Sequence, residues 1–230
     1  LEEIWNGLIR AAMLIATLNP QVVEITTRSL FISLSSAFFA AVICIPLGGF
    51  IEFRRFWGKG TLINAIHTLY SLPTVTVGLM VFLLISRSGP LGSLGLLFSP
   101  AGMILGQTIL VSPIMTGLTI TALAAVSPQI RDTAKSLGAT EMQIIVTVIK
   151  EARSAVTAAV ILGFGRALSE VGVAMMIGGN IRGYTRVLTT SIALETSMGN
   201  LELSMALGII LISISLVINL LLNRVRGRWI

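Results

Sequence analysis

Asp132-Thr133-Ala134-Lys135-Ser136-Leu137-Gly138-Ala139-Thr140-Glu141 is a polar stretch, punctuated by one glycine, set between long apolar segments. Its local signals spell helix, corner, helix. Just upstream, Ser127-Pro128 is a helix start, because Ser can cap and Pro at the first helical position has no N–H to lose. Gly138 supplies the left-handed residue that ends this helix. Thr140 and Gln143 then fit a capping box, so a second helix starts at once. That helix carries Met142, Ile145, Val148 and Ile149 toward one side, where they can pack under a bundle. A chain that only crossed a bilayer would not need so structured a connection. One gripped by a force-generating partner would.

Working outward, uncharged windows flank the hairpin, and a spanning helix needs about 20 predominantly apolar residues. Residues 29–51 lie between Arg28 and Glu52, and residues 60–86 between Lys59 and Arg87. Residues 88–130 are too many for one helix, and the turn signals Gly89-Pro90 and Ser99-Pro100 place the span near residues 101–123. A fourth window, residues 154–181, contains Arg166 and Glu170, and a fifth covers residues 203–223. The expected fold is therefore all-α: one polytopic membrane domain over residues 1–230, with five transmembrane helices and a polar loop at residues 127–150. The first twenty residues are apolar but interrupted by Asn6 and Arg10 and ended by Asn19-Pro20. They are expected to form a helix lying in the interface, with a short sixth span as the alternative.

Composition supports this class. The chain is 54% hydrophobic and 11% charged, with mean hydropathy +0.93, whereas soluble domains carry roughly 25% charged residues. Cys44 is the single cysteine and sits in an apolar run, so it forms no internal disulfide and reads as a small buried side chain. The net charge of +6 does not point to nucleic acid, because the basic residues are scattered at segment ends. The chain opens on Leu1-Glu2-Glu3, acidic where a signal peptide needs a basic region and without an initiator Met, which is expected of a trimmed N-terminus.

Scattered basic residues set topology instead. One side of the bundle collects ten Lys and Arg: Arg54, Arg55 and Lys59 after the first span, the four between residues 131 and 153, and three near the C-terminus. The other side holds five, namely Arg10, Arg28, Arg87, Arg182 and Arg186. The richer side is expected to be cytoplasmic, which places the polar hairpin and the C-terminus inside.

The chain shows no engine of its own. A phosphate-binding loop needs Gly, four residues, then Gly-Lys-Ser/Thr. The Gly58-Lys59 pair has Phe53 at the required upstream position and Gly60 where a hydroxyl belongs. Nor are there paired carboxylates, a metal-ligand cluster or a credible catalytic triad, so the chain reads as a non-enzyme without a cofactor. The lone His67 is read as structural.

The hairpin resembles the "EAA" loop of ATP-binding-cassette importer permeases: Asp132-Thr133-Ala134, three residues, Gly138, nine residues, Val148. Asp132 stands for Glu, Thr133 for Ala, and Lys150-Glu151 where the family usually has Leu-Pro. The segments 163–172 (Gly-Phe-Gly-Arg-Ala-Leu-Ser-Glu-Val-Gly) and 175–186 (Met-Met-Ile-Gly-Gly-Asn-Ile-Arg-Gly-Tyr-Thr-Arg) look like the oxyanion branch, the sulfate, molybdate and tungstate permeases. Ser169-Glu170-Val171, the run from Gly178 to Gly183 and Leu194-Glu195-Thr196 look most like the tungstate group. Leu72-Pro73-Thr74-Val75 and Ser88-Gly89-Pro90-Leu91-Gly92 add to the match. The resemblance implies a homodimeric permease of a prokaryotic cell membrane, served by a cytoplasmic ATPase pair that holds ATP and Mg, and by an extracytoplasmic oxyanion-binding protein. It implies ATPase coupling through Asp132, Thr133, Ala134, Leu137, Gly138, Ala139 and Thr140.

Arg166 and Glu170 are ionisable groups within a span, where a charge costs about 2.5–3.5 kcal/mol on insertion scales. At spacing i, i+4 they can neutralise one another. They read either as a structural pair or as part of the translocation path with Ser169 and Pro73, Arg166 attracting the anion and Glu170 limiting how tightly it is held. Pro46, Pro73 and Pro113 are expected to kink helices at a gate or simply to fit the packing. Arg182, Tyr184 and Arg186, in the outer segment of residues 180–200, read as contacts for a binding protein or as a solvated positive loop. Two rival functions remain: an ion-coupled secondary transporter, disfavoured by the lack of a convincing internal repeat, and a structural subunit of a membrane complex.

Overall fold

The computed structural model describes residues 2–227, and among these there are helices and no strand. Its helices are α1 (Glu2–Ala16), α2 (Pro20–Phe53), α3 (Lys59–Leu69), α4 (Thr74–Ile85) and α5 (Pro100–Ala124). Then follow α6 (Pro128–Ser136), α7 (Glu141–Glu151), α8 (Arg153–Leu168), α9 (Gly172–Gly178), α10 (Leu188–Ser197) and α11 (Leu201–Gly227). Of the residues used above for topology, Arg228 and the side chains of Arg10 and Arg226 lie outside the described set.

α2 and α5 form the centre of the bundle. α2 starts where Asn19 accepts from the Gln21 N–H at 3.0 Å and Pro20 takes the first helical position. The signal that stops α1 thus also starts its successor. At 34 residues and roughly 1.5 Å per residue, α2 is about 51 Å long, more than the hydrocarbon core requires. Its buried side carries Ser29, Ser33, Ser36, Ala37, Ala40, Cys44 and Gly48, small residues at three- and four-residue spacing. Small side chains let helix axes approach closely in lipid, where packing and hydrogen bonds replace water expulsion as the driving force. Ser36 Oγ lies 3.1 Å from Gln107 Oε1, and Thr108 donates to the Ser36 carbonyl at 3.3 Å. The opposite face exposes Phe31, Leu34, Phe38 and Phe39, a surface suited to acyl chains or a second apolar protein. Cys44 is buried and free among Ala40, Val111, Met115 and Phe164, as its setting suggested.

Among the described residues three helices, α2, α5 and α11, are long and apolar enough to cross a bilayer, and two bent pairs raise the number to five if each pair counts as one span. The bent pairs are α3 with α4, at 100°, and α8 with α9, at 58°. α1, at 15 residues, packs along α11 and buries Ala11 completely. Pro46 and Pro113 lie inside continuous helices, so of the three in-span prolines only Pro73 stands at a break. The outer segment differs from a loop through its second half. Residues Leu188–Ser197 are α10, which buries Thr189, Thr190, Ser191 and Glu195 and packs on α11. Its hydroxyl-rich composition looks solvated, but Thr189, Thr190 and Glu195 find partners inside the protein, and of the four only the Ser191 hydroxyl is left without one.

Candidate functional site

Two places in the fold concentrate polar chemistry. The first is the hairpin. α6 begins at Pro128 as expected, though the Ser127 hydroxyl turns to Gln129 Oε1 at 3.4 Å instead of capping the backbone. Gly138 adopts φ +78°, the left-handed corner. Gln143 N–H donates to Thr140 Oγ1 at 3.4 Å and Thr140 N–H donates to Gln143 Oε1 at 2.8 Å, so the reciprocal cap is present. Asp132, Thr133, Gly138 and Thr140 are exposed, with Ala134 and Ala139 half-buried. Leu137 is 82% exposed at the tip, an isolated apolar knob on a polar elbow. At the root, Val148 is fully buried with Leu123, Val126 and Ala152, and Ile144 packs against them. Met142 and Ile149 remain exposed. The inward face of α7 is therefore Ile144 with Val148, narrower than the four-residue face expected, because only this pair reaches the end of α5.

Sequence spacing gave no sign of Glu52, which ties the hairpin to the bundle. Its Oε1 lies 3.6 Å from Arg131 Nη2, and its Oε2 lies 3.1 Å from Lys59 Nζ. Lys59 also donates to the Glu52 carbonyl at 2.8 Å, and the Arg131 guanidinium sits 5.3 Å over the Phe53 ring. One carboxylate thus links the start of α6 to the end of α2 and the start of α3.

The second place is where the two bent spans meet. Leu72 precedes Pro73, which disfavours the helical region at Leu72, and Pro73 lacks an N–H. α3 consequently tightens to a stop and α4 restarts at Thr74. In the other pair, α8 ends at Leu168 and Glu170 closes the gap: its Oε1 accepts the Val173 N–H of α9 at 3.1 Å. Its Oε2 accepts Arg166 Nη1 at 2.7 Å, and its carbonyl accepts Thr189 Oγ1 at 2.7 Å. The breaks abut, since a methyl group on Gly172 would lie 2.8 Å from Thr74 Oγ1 and 3.1 Å from the Val75 nitrogen. Glu170 is buried at 2%, whereas the Arg166 side chain is 35% exposed. Pro73 and Ser169 are exposed on the same two breaks, and Ser169 Oγ donates to the Arg166 carbonyl at 3.2 Å. The structure therefore brings Arg166, Ser169 and Glu170 together at one break and places Pro73 at the break that abuts it. His67 is exposed in the last turn of α3, with its ring 5.3 Å from that of Tyr70.

At the other end of the molecule, Arg182 and Tyr184 are exposed, whereas Arg186 turns inward to within 4.0 Å of buried Glu195. Asn200 Nδ2 donates to Glu195 Oε2 at 3.0 Å. Arg28 reaches from α2 to Glu24 Oε1 at 2.7 Å and to the Gly183 carbonyl at 2.8 Å. The Arg28 contact with the Gly183 carbonyl escaped the sequence reading, because that partner lies 155 residues along the chain.

The chain is similar over nearly its whole length to transport proteins. It is 41% identical over 219 residues to the tungstate uptake system permease protein TupB of Peptoclostridium acidaminophilum, covering 95% of this chain and 96% of that one. It is 36% identical over 226 residues to the TupB of Campylobacter jejuni, covering 98% and 95%. Its backbone matches an inward-facing structure of the MetNI methionine ABC transporter with TM-score 0.74 and 18% identity, over 92% of this chain and 97% of that one. Residues 44–229 match the family described as the binding-protein-dependent transport system inner membrane component. With three long apolar helices, two bent apolar pairs, a capped polar elbow and that match over most of its length, the chain belongs to this family of membrane permeases.

Proposed function

We propose that this permease carries a tetrahedral oxyanion, tungstate in the first place, inward across the cell membrane by alternating access, driven by a separate ATPase. The observation that carries the mechanism is the meeting of the two broken spans. Discontinuous helices place backbone ends and charged groups at a site inside the bilayer without exposing them to lipid. There Arg166 offers a guanidinium whose charge is largely balanced by Glu170, so an anion is attracted but not held too tightly to leave. Pro73 and Ser169 flank that point. The choice of tungstate rests on the similarity to the two TupB tungstate permeases; molybdate or sulfate is the alternative within the same class.

In this reading two copies of the chain pair through their apolar faces, and each presents its elbow to one of two cytoplasmic ATPase subunits. Those subunits hold the ATP and Mg. Leu137 seats in the ATPase with Asp132, Thr133, Ala134, Gly138, Ala139 and Thr140 around it, and Glu52 passes the movement to α2 and α3. An extracytoplasmic binding protein delivers the anion near Arg182, Tyr184 and Arg186. The elbow and the C-terminus face the cytoplasm, an orientation that the excess of Lys and Arg on that side supports.

Reconstitution of the chain with its ATPase and binding protein in liposomes tests this. Uptake of radiolabelled tungstate is expected to require internal ATP, to stop with vanadate, and to be competed by molybdate more weakly than by unlabelled tungstate. Uptake that ignores vanadate but collapses with an ionophore would instead establish an ion-coupled secondary transporter.

A further inference from the structure

Between the end of α2 and the root of the hairpin lies a pocket of about 370 Å³, lined by Phe53, Arg54, Arg55, Arg131, Lys135 and Glu141 among others. Four cations face one carboxylate. Among the described residues Arg55 and Lys135 have no ion pair, and the buried Nε of Arg131 has no hydrogen-bond partner. Such a surplus of donors fits a phosphate group.

Its position narrows the ligand further. Phe56 is 41% exposed and Trp57 100% exposed immediately after the two arginines, an aromatic and basic combination typical of a membrane–water boundary. One helical turn back from Arg54, and stacked 6.0 Å beneath it, Phe50 lines an apolar groove of about 500 Å³ with Leu47, Leu62, Ile109 and Pro113. Cationic pocket and apolar groove are thus joined through one side of α2, in the order in which a phospholipid presents headgroup and acyl chain.

We infer that this pocket binds the phosphate headgroup of an anionic phospholipid from the leaflet on the hairpin side, with an acyl chain along the Phe50 groove. The bound lipid bridges Arg54 and Arg55 on the bundle to Arg131 and Lys135 on the elbow, alongside the Glu52 link. Anionic lipid then stiffens the connection through which the elbow moves the spans. Only the assignment of the leaflet as cytoplasmic rests on the orientation proposed above, and lipid retention is read without reference to transport.

Native mass spectrometry of the full chain in mild detergent, with equimolar phosphatidylglycerol and phosphatidylcholine, tests the site. The wild type is expected to retain phosphatidylglycerol in about thirtyfold excess, corresponding to the contribution of two surface cations, and Arg54→Gln/Arg55→Gln to retain both lipids equally. Arg54→Lys/Arg55→Lys is expected to keep the preference, which separates lost charge from lost folding. Equal retention by the wild type, or an unchanged preference in the glutamine pair, would overturn the inference. So would displacement of the lipid by millimolar inorganic phosphate or tungstate, which would mark a free-anion site. Loss of the preference in the complex with the ATPase would assign the pocket to a protein interface instead.

Discussion

Glu170 joins two structural contacts in one side chain, and the proposed pathway gives it a role in transport as well. One of its oxygens caps α9 and the other holds Arg166, so the two roles separate by substitution. In Glu170→Gln the amide oxygen can still accept the Val173 N–H, but the balancing charge is gone. The fold is expected to persist while tungstate uptake falls, because an unbalanced Arg166 holds the anion longer. Wild-type uptake in that variant would remove Glu170 from the pathway. Glu170→Ala loses the cap as well, which costs about 1 kcal/mol, and strands a half-buried guanidinium. A lower unfolding temperature than that of the glutamine variant is the expected readout. That an acid four residues from Arg166 would pair with it was legible in the sequence, since helical spacing fixes it. That the same acid caps the next half-helix was not, because the break itself was not predicted.

At the scale of elements, the hairpin was the most readable part of the chain. Pro128, Gly138 and the Thr140–Gln143 box act within a few residues, and the structure has each in its expected place except for the Ser127 cap. Leu137→Asp is expected to leave stability within about 0.5 kcal/mol, as for other exposed positions, yet to abolish co-purification of the ATPase and uptake alike. An uptake-competent Leu137→Asp transporter would relocate the coupling surface. Gly138→Ala forces a side chain into the left-handed region at a cost of roughly 1–2 kcal/mol. Because nothing lies within 4 Å of a methyl there, the loss is expected to appear as a reoriented elbow with a weakened ATPase contact and an intact bundle. The anchoring of that elbow through Glu52 was invisible beforehand, as no local spacing relates Glu52 to Arg131.

For the whole molecule, orientation is the open quantity with the clearest check. In a Cys44→Ala background, a membrane-impermeant maleimide applied to intact cells is expected to label Tyr184→Cys and to spare Trp57→Cys until the cells are opened. The reverse pattern would invert the topology. The all-helical membrane class, the five apolar stretches, the polar elbow and the family resemblance were all present in the chain as written. Apolar runs, caps and basic flanks are short-range features, set by hydrogen-bond satisfaction in lipid and by the charge preference of a bilayer's two sides. Tertiary structure alone decided that the fourth span is broken after Leu168, how the two breaks abut, and that Glu52 and Arg28 clamp distant segments together. It also decided that α10 is buried instead of solvated. Those outcomes depend on which helices lie side by side, and a buried charge or hydroxyl is settled only once its partner arrives from elsewhere in the chain.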